Sequence, residues 1–316
     1  MRKQHAGLME SLIEKHAPIA QLIGNQEFHY LDIPVHDNIG DTLIMQGTLE
    51  FFKKNNLRPK TISSCTSFKH QWVKSGDILV FHGGGNLGDL YQNINEIREK
   101  IIQNFTKNTV IILPQTIHFE SEDNLKKSVS IFQNHPDIHL FVRDKVSLEL
   151  AKKFTQNVYL VPDMAHQLYP LKPSTFVNRG NLRIQRLDIE KPEIPKSIQH
   201  LVFDKTTDWV EVVGQDKRLI DLFWRLEWRF NRYGWTFVSK HLSKLWMPIA
   251  NRFTRKAVKL FSPYEHIVTD RLHGHILACL MSKPNTVIDN SYGKNSTYMN
   301  EWTIESDIVT LVMHSL

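Results

Sequence analysis

Arg271, His273 and Lys294 are the residues of this 316-residue chain whose types and spacing most directly suggest chemistry. Ile267 and Val268 form an apolar β-branched run that reads as a short buried strand, after which Thr269 or Asp270 turns the chain towards a helix. Gly274, Ile276, Leu277, Leu280 and Met281 give that helix a small or apolar face, and Arg271 and His273 stand at its start. There, free backbone N–H groups and the positive end of the helix dipole favour an anion. A second short strand, Asn285 to Ile288, leads into the polar turn Asp289-Asn290-Ser291-Tyr292-Gly293-Lys294. If the two strands are parallel neighbours, Arg271, His273 and Lys294 converge on one carboxyl edge. The chemistry this suggests is capture of a small, multiply charged anion beside a titratable imidazole. Taken singly, Arg271 reads equally well as a surface ion pair with Asp270, and His273 as a capping or core histidine. It is the second strand and its lysine that favour a site.

The first half of the chain supplies further polar residues at strand ends. Phe28 to Ile33 reads as a strand, followed by the loop N-I-G-D, in which Asp41 caps a helix from Thr42 to Asn55 and Asn38 can meet a ligand. Asp77 to Phe81 is the clearest buried strand and runs into His82-Gly83-Gly84-Gly85-Asn86-Leu87-Gly88-Asp89. Consecutive glycines, Gly84 and Gly85 among them, let the backbone approach a ligand closely, with His82 and Asn86 as the polar groups of the loop. The loop lacks the G-K-[ST] of a Walker sequence and only loosely echoes a dinucleotide fingerprint. Val110 to Leu113 precedes Gln115 and His118, Ile138 to Val142 precedes Arg143, and Val158 to Val161 precedes Asp163. Strands alternating with helices predict a parallel, doubly wound sheet with ligands at the carboxyl ends of its strands.

Length suits two such units. The prolines and glycine of Tyr169 to Gly180 mark a connection, giving a first domain at 1–170, a linker at 171–180 and a second domain at 181–316. Beyond the linker, Leu182 to Leu187 and His200 to Phe203 read as strands. Arg186, Asp188 and Glu190 share a face if the first continues, and Asp208-Trp209 follows the second. Between Lys217 and Leu260 the character changes. Leu219, Leu222, Phe223, Leu226 and Phe230 fall at helical spacing, while Arg218, Arg225, Arg229 and Arg232 occupy the intervening face among several tryptophans. This is either a packed helix with a solvated basic face or a surface that sits on anionic lipid headgroups.

A formal charge of +6 and a pI near 9.1 suggest an acidic partner: nucleic acid, anionic membrane or a phosphorylated small molecule. The N-terminus lacks the apolar core of a signal peptide, and no apolar run approaches the ~20 residues of a spanning helix, so a cytoplasmic protein is expected. Two cysteines in strand-like and helix-like contexts fit neither a disulfide framework nor a zinc site. No metal is demanded, because arginine and lysine can meet phosphate charge.

The run TDRLHGHILACLMSKPNTVIDNSYGK resembles the C-terminal signature of bacterial polysaccharide pyruvyl transferases. NIGDTLI, ILVFHGGGNLGDLY, LPQTIHF, FVRDKVSLELAKK, VPDMAH and RLDIEK follow that family's order. The resemblance implies two Rossmann-like domains facing a cleft, as in the glycosyltransferase-B architecture. It also implies transfer of pyruvate from phosphoenolpyruvate, a co-substrate with no other cofactor, to a sugar diol as a cyclic ketal. The acceptor is then a polysaccharide or a lipid-linked oligosaccharide, peripheral contact with the inner face of the cell membrane is expected, and nucleic acid is not a partner. On this reading Arg271, His273, Lys294 and Arg143 or Arg186 bind phosphoenolpyruvate, with Arg143 the better match. His273 is the general acid, and Asp163 or His118 orients or deprotonates the acceptor. Asn38, Asp41, His82, Gly84, Gly85, Asn86, Gln115 and His118 form the acceptor side. Two rival readings are a nucleotide-sugar glycosyltransferase of the same architecture, with Glu190 or Asp289 gripping ribose, and a basic membrane- or nucleic-acid-binding protein without catalysis.

Overall fold

The computed structural model describes residues 2–174, 179–186, 195, 198–233, 235–289 and 293–313, with the backbone alone for 236–240 and 294. Its described strands form two parallel sheets. The first contains β1 (Phe28–Leu31), β2 (Thr61–Ile62), β3 (Ile78–Phe81), β4 (Gly84–Gly88), β5 (Val110–His118), β6 (Ile138–Val142) and β7 (Asn157–Leu160), in the order β2-β1-β3-β5-β6-β7, with β4 paired to β5. The second contains β8 (Arg179–Ile184), β9 (Lys205–Thr207), β10 (Tyr264–Thr269), β11 (Asn285–Ile288) and β12 (Val309–Val312), in the order β12-β11-β10-β8-β9. Parallel neighbours need crossover connections, and most of these are helical. The helices are α1 (His5–Glu14), α2 (Ala17–Ile23), α3 (Ile39–Lys54), α4 (Gln92–Asn104), α5 (Glu122–Gln133), α6 (Lys145–Ala151), α7 (Trp209–Val213), α8 (Lys217–Arg232), α9 (Thr236–Phe261), α10 (Leu272–Leu280) and α11 (Lys294–Trp302).

Both sheets reverse their strand order once, and those reversals fix where a ligand can sit. The chain lays β2 on one side of β1 and returns to place β3 on the other; it repeats the move with β9 and β10 about β8. At such a point the connections leaving adjacent strands part to opposite faces, opening a crevice at the carboxyl edge. Residues 32–38 and 82–83 leave β1 and β3, and residues 185–186 and 270–271 leave β8 and β10.

Several elements differ from the sequence reading, each for a physical reason. The glycine-rich stretch after Phe81 is not wholly a loop: Gly84–Gly88 pairs with an extension of β5, matching Gly84 to Gln115 and Gly88 to His118. A Cβ on Gly88, whose φ is +144°, would lie 1.7 Å from the His118 carbonyl oxygen, so only glycine permits the approach. Strand β5 accordingly runs past Leu113 and through Pro114, and its register shifts between Ile112 and Gln115, where the proline cannot donate. Phe203 does not belong to a strand. Its ring lies under the Arg183 guanidinium, 5.6 Å from centroid to carbon, and Lys205–Thr207 forms the edge strand instead. The helical spacing of Leu219 to Phe230 corresponds to α8, and the chain beyond it, for which the sequence reading names no element, forms the long helix α9.

One hydrophobic core runs through both sheets, joining Tyr30, Val80 and Leu113 to Leu182, Ile184 and Ile267 by way of α3, α9 and α10. Exchanged elements tie the halves further. At the N-terminus, the His5 ring bonds the Cys279 carbonyl at 2.8 Å and Ser306 Oγ at 2.9 Å. In return α8 reaches the first sheet: Trp224 Nε1 donates to the Val35 carbonyl at 3.1 Å, and Ser64 Oγ donates to the buried Glu227 carboxylate at 2.5 Å. Helix α3 lies so close to the turn at Met164–Leu168 that a Cβ on Gly47 would be 2.1 Å from the Met164 carbonyl oxygen. That turn follows Asp163.

Candidate active site

The crevices of the two sheets open into one cleft. Its lining brings together Asn38 and Asp41 beyond β1, Gly85 and Asn86 beyond β3, Arg143 beyond β6, Arg186 beyond β8, and Asp270, Arg271 and His273 beyond β10. Nine of the residues singled out from sequence therefore meet at or directly behind this cleft, Asp163 being the ninth, together with Asp270, which sequence reasoning left as a cap or ion-pair partner. Leu90, Tyr91, Trp209, Leu272 and Asn295 complete the lining.

On the second-sheet side, Arg271 occupies the N-cap position of α10 in extended conformation, held by a hydrogen bond from its N–H to Thr269 Oγ1 at 3.0 Å. Its guanidinium does not pair with the adjacent Asp270. Nε and Nη2 instead grip Asp208 at 2.5 and 2.6 Å, a bidentate ion pair that fixes the plane of the fork. Asp208 is buried and comes from the end of β9, so the pairing crosses the switch point. Arg186 donates its backbone N–H to Asp270 Oδ1 at 2.8 Å.

Arg143 and Asp163 lie behind the opposite wall, 2% and 0% exposed. Arg143 Nη1 donates to Asp163 Oδ2 at 2.5 Å and Nε to Thr116 Oγ1 at 2.9 Å. Asp163 also caps the following turn through the Ala165 N–H at 2.9 Å. The same Oδ2 stands 3.3 Å from His273 Nε2. That approach is long and poorly aligned for a hydrogen bond, and Nε2 has no other partner, so the contact is an ion pair when the ring is protonated. Burial by itself would raise the Asp163 carboxyl, but His273, Arg143 and the Ala165 amide together hold it far below the usual carboxylate range. A carboxylate so stabilised is a poor proton acceptor. What it can do is orient the imidazole.

His273 is constrained on its other side by the first sheet. A Cβ on Gly40, in the opening turn of α3, would lie 2.6 Å from His273 Nδ1. The glycine of N-I-G-D thus leaves room for the imidazole, while Asn38 caps the helix through the Gly40 N–H at 2.9 Å and donates to Asp41 Oδ2 at 2.9 Å. Gly40→Ala is expected to lower kcat at least tenfold and to lower the melting temperature as well, since the methyl group would meet the His273 ring and the Cβ that anchors it to α10. A lower melting temperature with kcat unchanged would mean the glycine serves packing alone.

Other residues chosen from sequence support the cleft from behind or lie apart from it. His82 is wholly buried, its Nδ1 2.7 Å from Tyr30 Oη, and burial pushes its pKa down to about 3, so it stays neutral. Its backbone N–H donates to Asp32 Oδ1 at 2.6 Å, and Asp32 is in turn paired with buried Arg98 at 2.5 Å. Gln115 is also buried. It donates to the His82 carbonyl at 2.6 Å and accepts the Asn86 N–H at 3.2 Å, stapling the glycine-rich stretch to β5. Gly84 lies in that pairing with φ of +120°. His118 is exposed at the far end of β5 and does not line the cleft. Asp289 is buried and accepts the Ser296 N–H at 3.1 Å. The Lys294 side chain, Asp188, Glu190 and 290–292 lie outside the described residues; the backbone of Lys294 opens α11. Among the described residues, no group of three or more His, Cys, Asp or Glu is placed to hold a metal ion.

The pairings that set the site's electrostatics carried little sequence signal. Asp208 is sixty-three residues from Arg271. Asn295, which donates to the Asp270 carbonyl at 2.8 Å, lies in α11, one residue beyond the polar turn that the sequence reading singles out. The arrangement can bind an anion between Arg186, Arg271 and the α10 N-terminus, with a positioned imidazole beside it. Asn38, Asp41, Asn86 and Tyr91 form a polar wall opposite.

The model of the family described as polysaccharide pyruvyl transferase matches residues 38–292. The chain is 36% identical over 312 residues to EpsO of Bacillus subtilis, a candidate pyruvyl transferase, spanning 97% of this chain and 95% of that one. It is 26% identical over 296 residues to pyruvyl transferase 1 of Schizosaccharomyces pombe, covering 88% and 70% of the two chains. In fold it is similar to a functionally uncharacterised Klebsiella pneumoniae protein of known crystal structure, with a TM-score of 0.64, 22% identity, and 94% and 98% of the two chains covered.

Proposed function

The chain belongs to the polysaccharide pyruvyl transferase family, and from that premise we propose that it moves pyruvate from phosphoenolpyruvate onto a sugar diol as a cyclic ketal, releasing phosphate. The observation that carries this reading is the meeting of Arg186, Arg271 and His273 in a cleft backed by the Arg143–Asp163 pair. Phosphoenolpyruvate bears a phosphate and a carboxylate on three carbons, and planar guanidinium forks suit both groups. Lys294, opening α11, is a further candidate cation.

The reaction needs a proton at the methylene carbon and loss of protons from two hydroxyls. In the proposed sequence His273 gives its proton to C3 of the enol while the first hydroxyl adds to C2. The C2–O bond to phosphate then breaks and the second hydroxyl closes the ring. One proton ends on C3 and one on the departing phosphate, balancing the two lost by the diol. Asp163 positions His273. Asn38, Asp41 and Asn86 orient the acceptor, and the exposed Leu90 and Tyr91 border the opening it enters. On this proposal the lobes 1–170 and 181–316 are the acceptor and donor sides of a glycosyltransferase-B-like pair.

Incubation with phosphoenolpyruvate and a panel of galactosides, glucosides and N-acetylmannosaminides should release phosphate only with a suitable diol. Stabilisation against heat by UDP- or GDP-sugars, with none by phosphoenolpyruvate, would favour a glycosyltransferase instead.

We also propose a cytoplasmic protein that meets its acceptor at an anionic membrane surface. No helix among the described residues is long and apolar enough to cross a membrane. Instead, the outer face of α8 exposes Arg218, Arg225, Arg229 and Arg232 beside Trp224 and Trp228, and Trp224 is tied to Val35 just before Asn38. Binding to phosphatidylglycerol vesicles should fall sharply in Arg225→Glu/Arg229→Glu and at high salt; equal binding to neutral vesicles would remove the idea.

A further inference from the structure

Asp270 is the one carboxylate in the cleft lining whose environment does not match its charge. It directly follows β10, is 2% exposed, and has an Oδ2 atom with no hydrogen-bond partner. Only Oδ1 is satisfied, by the Arg186 N–H at 2.8 Å. Elsewhere in the site the carboxylates have cationic partners: both oxygens of Asp208 meet the Arg271 fork, and Asp163 meets Arg143 and His273. A buried carboxylate oxygen without a donor costs free energy that a protonated carboxyl largely avoids.

The groups around Asp270 explain why this imbalance bears on ligand binding. Arg183 on β8, Arg186 beyond it and Arg271 next in the chain are the cations that attract its charge. Arg271 is engaged with Asp208, and Arg183 lies over Phe203 with Nη2 unpartnered. Asn295 from α11 meets Asp270 at its carbonyl alone and also donates to the Ile288 carbonyl, Asp289 follows the neighbouring strand β11, and His273 lies three residues on. An anion entering the cleft places a second negative charge among the same arginines. It competes for their field and repels a carboxylate directly.

We propose that Asp270 takes up one proton when a phosphate-bearing anion enters the cleft, so that a neutral carboxyl, with Oδ2–H as a donor, borders the ligand. The inference deepens the phosphoenolpyruvate reading and rests on it for the identity of the natural anion. Asp270 is on this account a binding residue that couples affinity to pH. Burial pushes its carboxyl up to about 6 in the unliganded protein. An anion raises it further, so affinity grows as pH falls towards that value and levels off below it, by up to tenfold per pH unit over the window.

Two probes keep the test independent of function. Phosphoenolpyruvate titrates in the same range, so it is compared between the wild-type chain and Asp270→Asn, which keeps an acceptor for the Arg186 N–H. Calorimetric titration at pH 7 in buffers of different ionisation heat should show up to about one proton more taken up by wild type than by the variant. The variant should bind as tightly or more tightly, with a flatter pH profile. Sulfate, which does not titrate near pH 7, is the second probe, used with wild type and with His273→Gln, so that Asp270 stays intact if its own variant does not fold. Sulfate-linked uptake should persist in His273→Gln. Equal uptake in wild type and Asp270→Asn, or sulfate-linked uptake that vanishes with His273, would overturn the proposal. Uptake with sulfate but no binding of phosphoenolpyruvate would leave it standing and sink the proposed donor.

Discussion

His273→Ala and His273→Gln are both expected to abolish turnover, lowering kcat by roughly 10²–10⁴-fold, the usual range for a positioned proton donor. Glutamine preserves much of the volume and a hydrogen-bonding end but has no proton to give at the methylene carbon. Alanine removes the ring that Gly40 makes room for and Asp163 faces. If the imidazole served only to bind phosphate, glutamine would raise KM and leave kcat near its original value. Near-normal kcat in either variant therefore refutes the acid assignment. The split between the parameters is the informative quantity, since a group acting only in the transition state lowers kcat and kcat/KM together.

Asp163→Asn is expected to harm both activity and stability, through separable causes. Arg143 and Asp163 are almost wholly buried, and removing one charge of such a pair leaves the other uncompensated, at a cost of about 3–5 kcal/mol. The same substitution removes the carboxylate that positions the His273 ring, so kcat should fall by at least ~10²-fold. Arg143→Met combined with Asp163→Leu separates the two effects. The double variant should recover most of the lost melting temperature, because the buried pair is replaced by apolar volume, while activity stays absent. A single variant that melts like the parent would contradict the structural role, and recovery of activity in the double variant would contradict the positioning of His273.

How far these roles could be read in the chain depended on the range of the interaction that defines them. The alternation of strands and helices placed Asn38, Asn86, Arg143, Asp163 and Arg271 at carboxyl ends, because local pattern alone settles which side of a parallel strand is its end. Which way an end residue faces is not local. His82 and Gln115 occupy the same kind of position as Asn86, yet β4 folds over them, and they became buried supports of the glycine-rich stretch. That strand was invisible in G-G-G-N-L, since three glycines have no preference for the pleated state and its reason is the close approach of Gly88 to β5. Arg271 read naturally as the partner of its neighbour Asp270; the fork geometry of Asp208 wins instead, and Asp270 is left with the unmatched oxygen. The fit of His273 against Gly40 joins the two halves of the polypeptide and has no signature in either.

The most direct measurement is carbon NMR of a reaction containing phosphoenolpyruvate labelled at C2, the chain, and a glycan that supports phosphate release. The enol carbon signal should be replaced, in step with phosphate release, by a quaternary ketal carbon attached to the glycan, and Arg271→Ala and His273→Gln should suppress both. Labelled carbon recovered as free pyruvate, or a ketal that still forms with Arg271 and His273 removed, would contradict the proposed transfer.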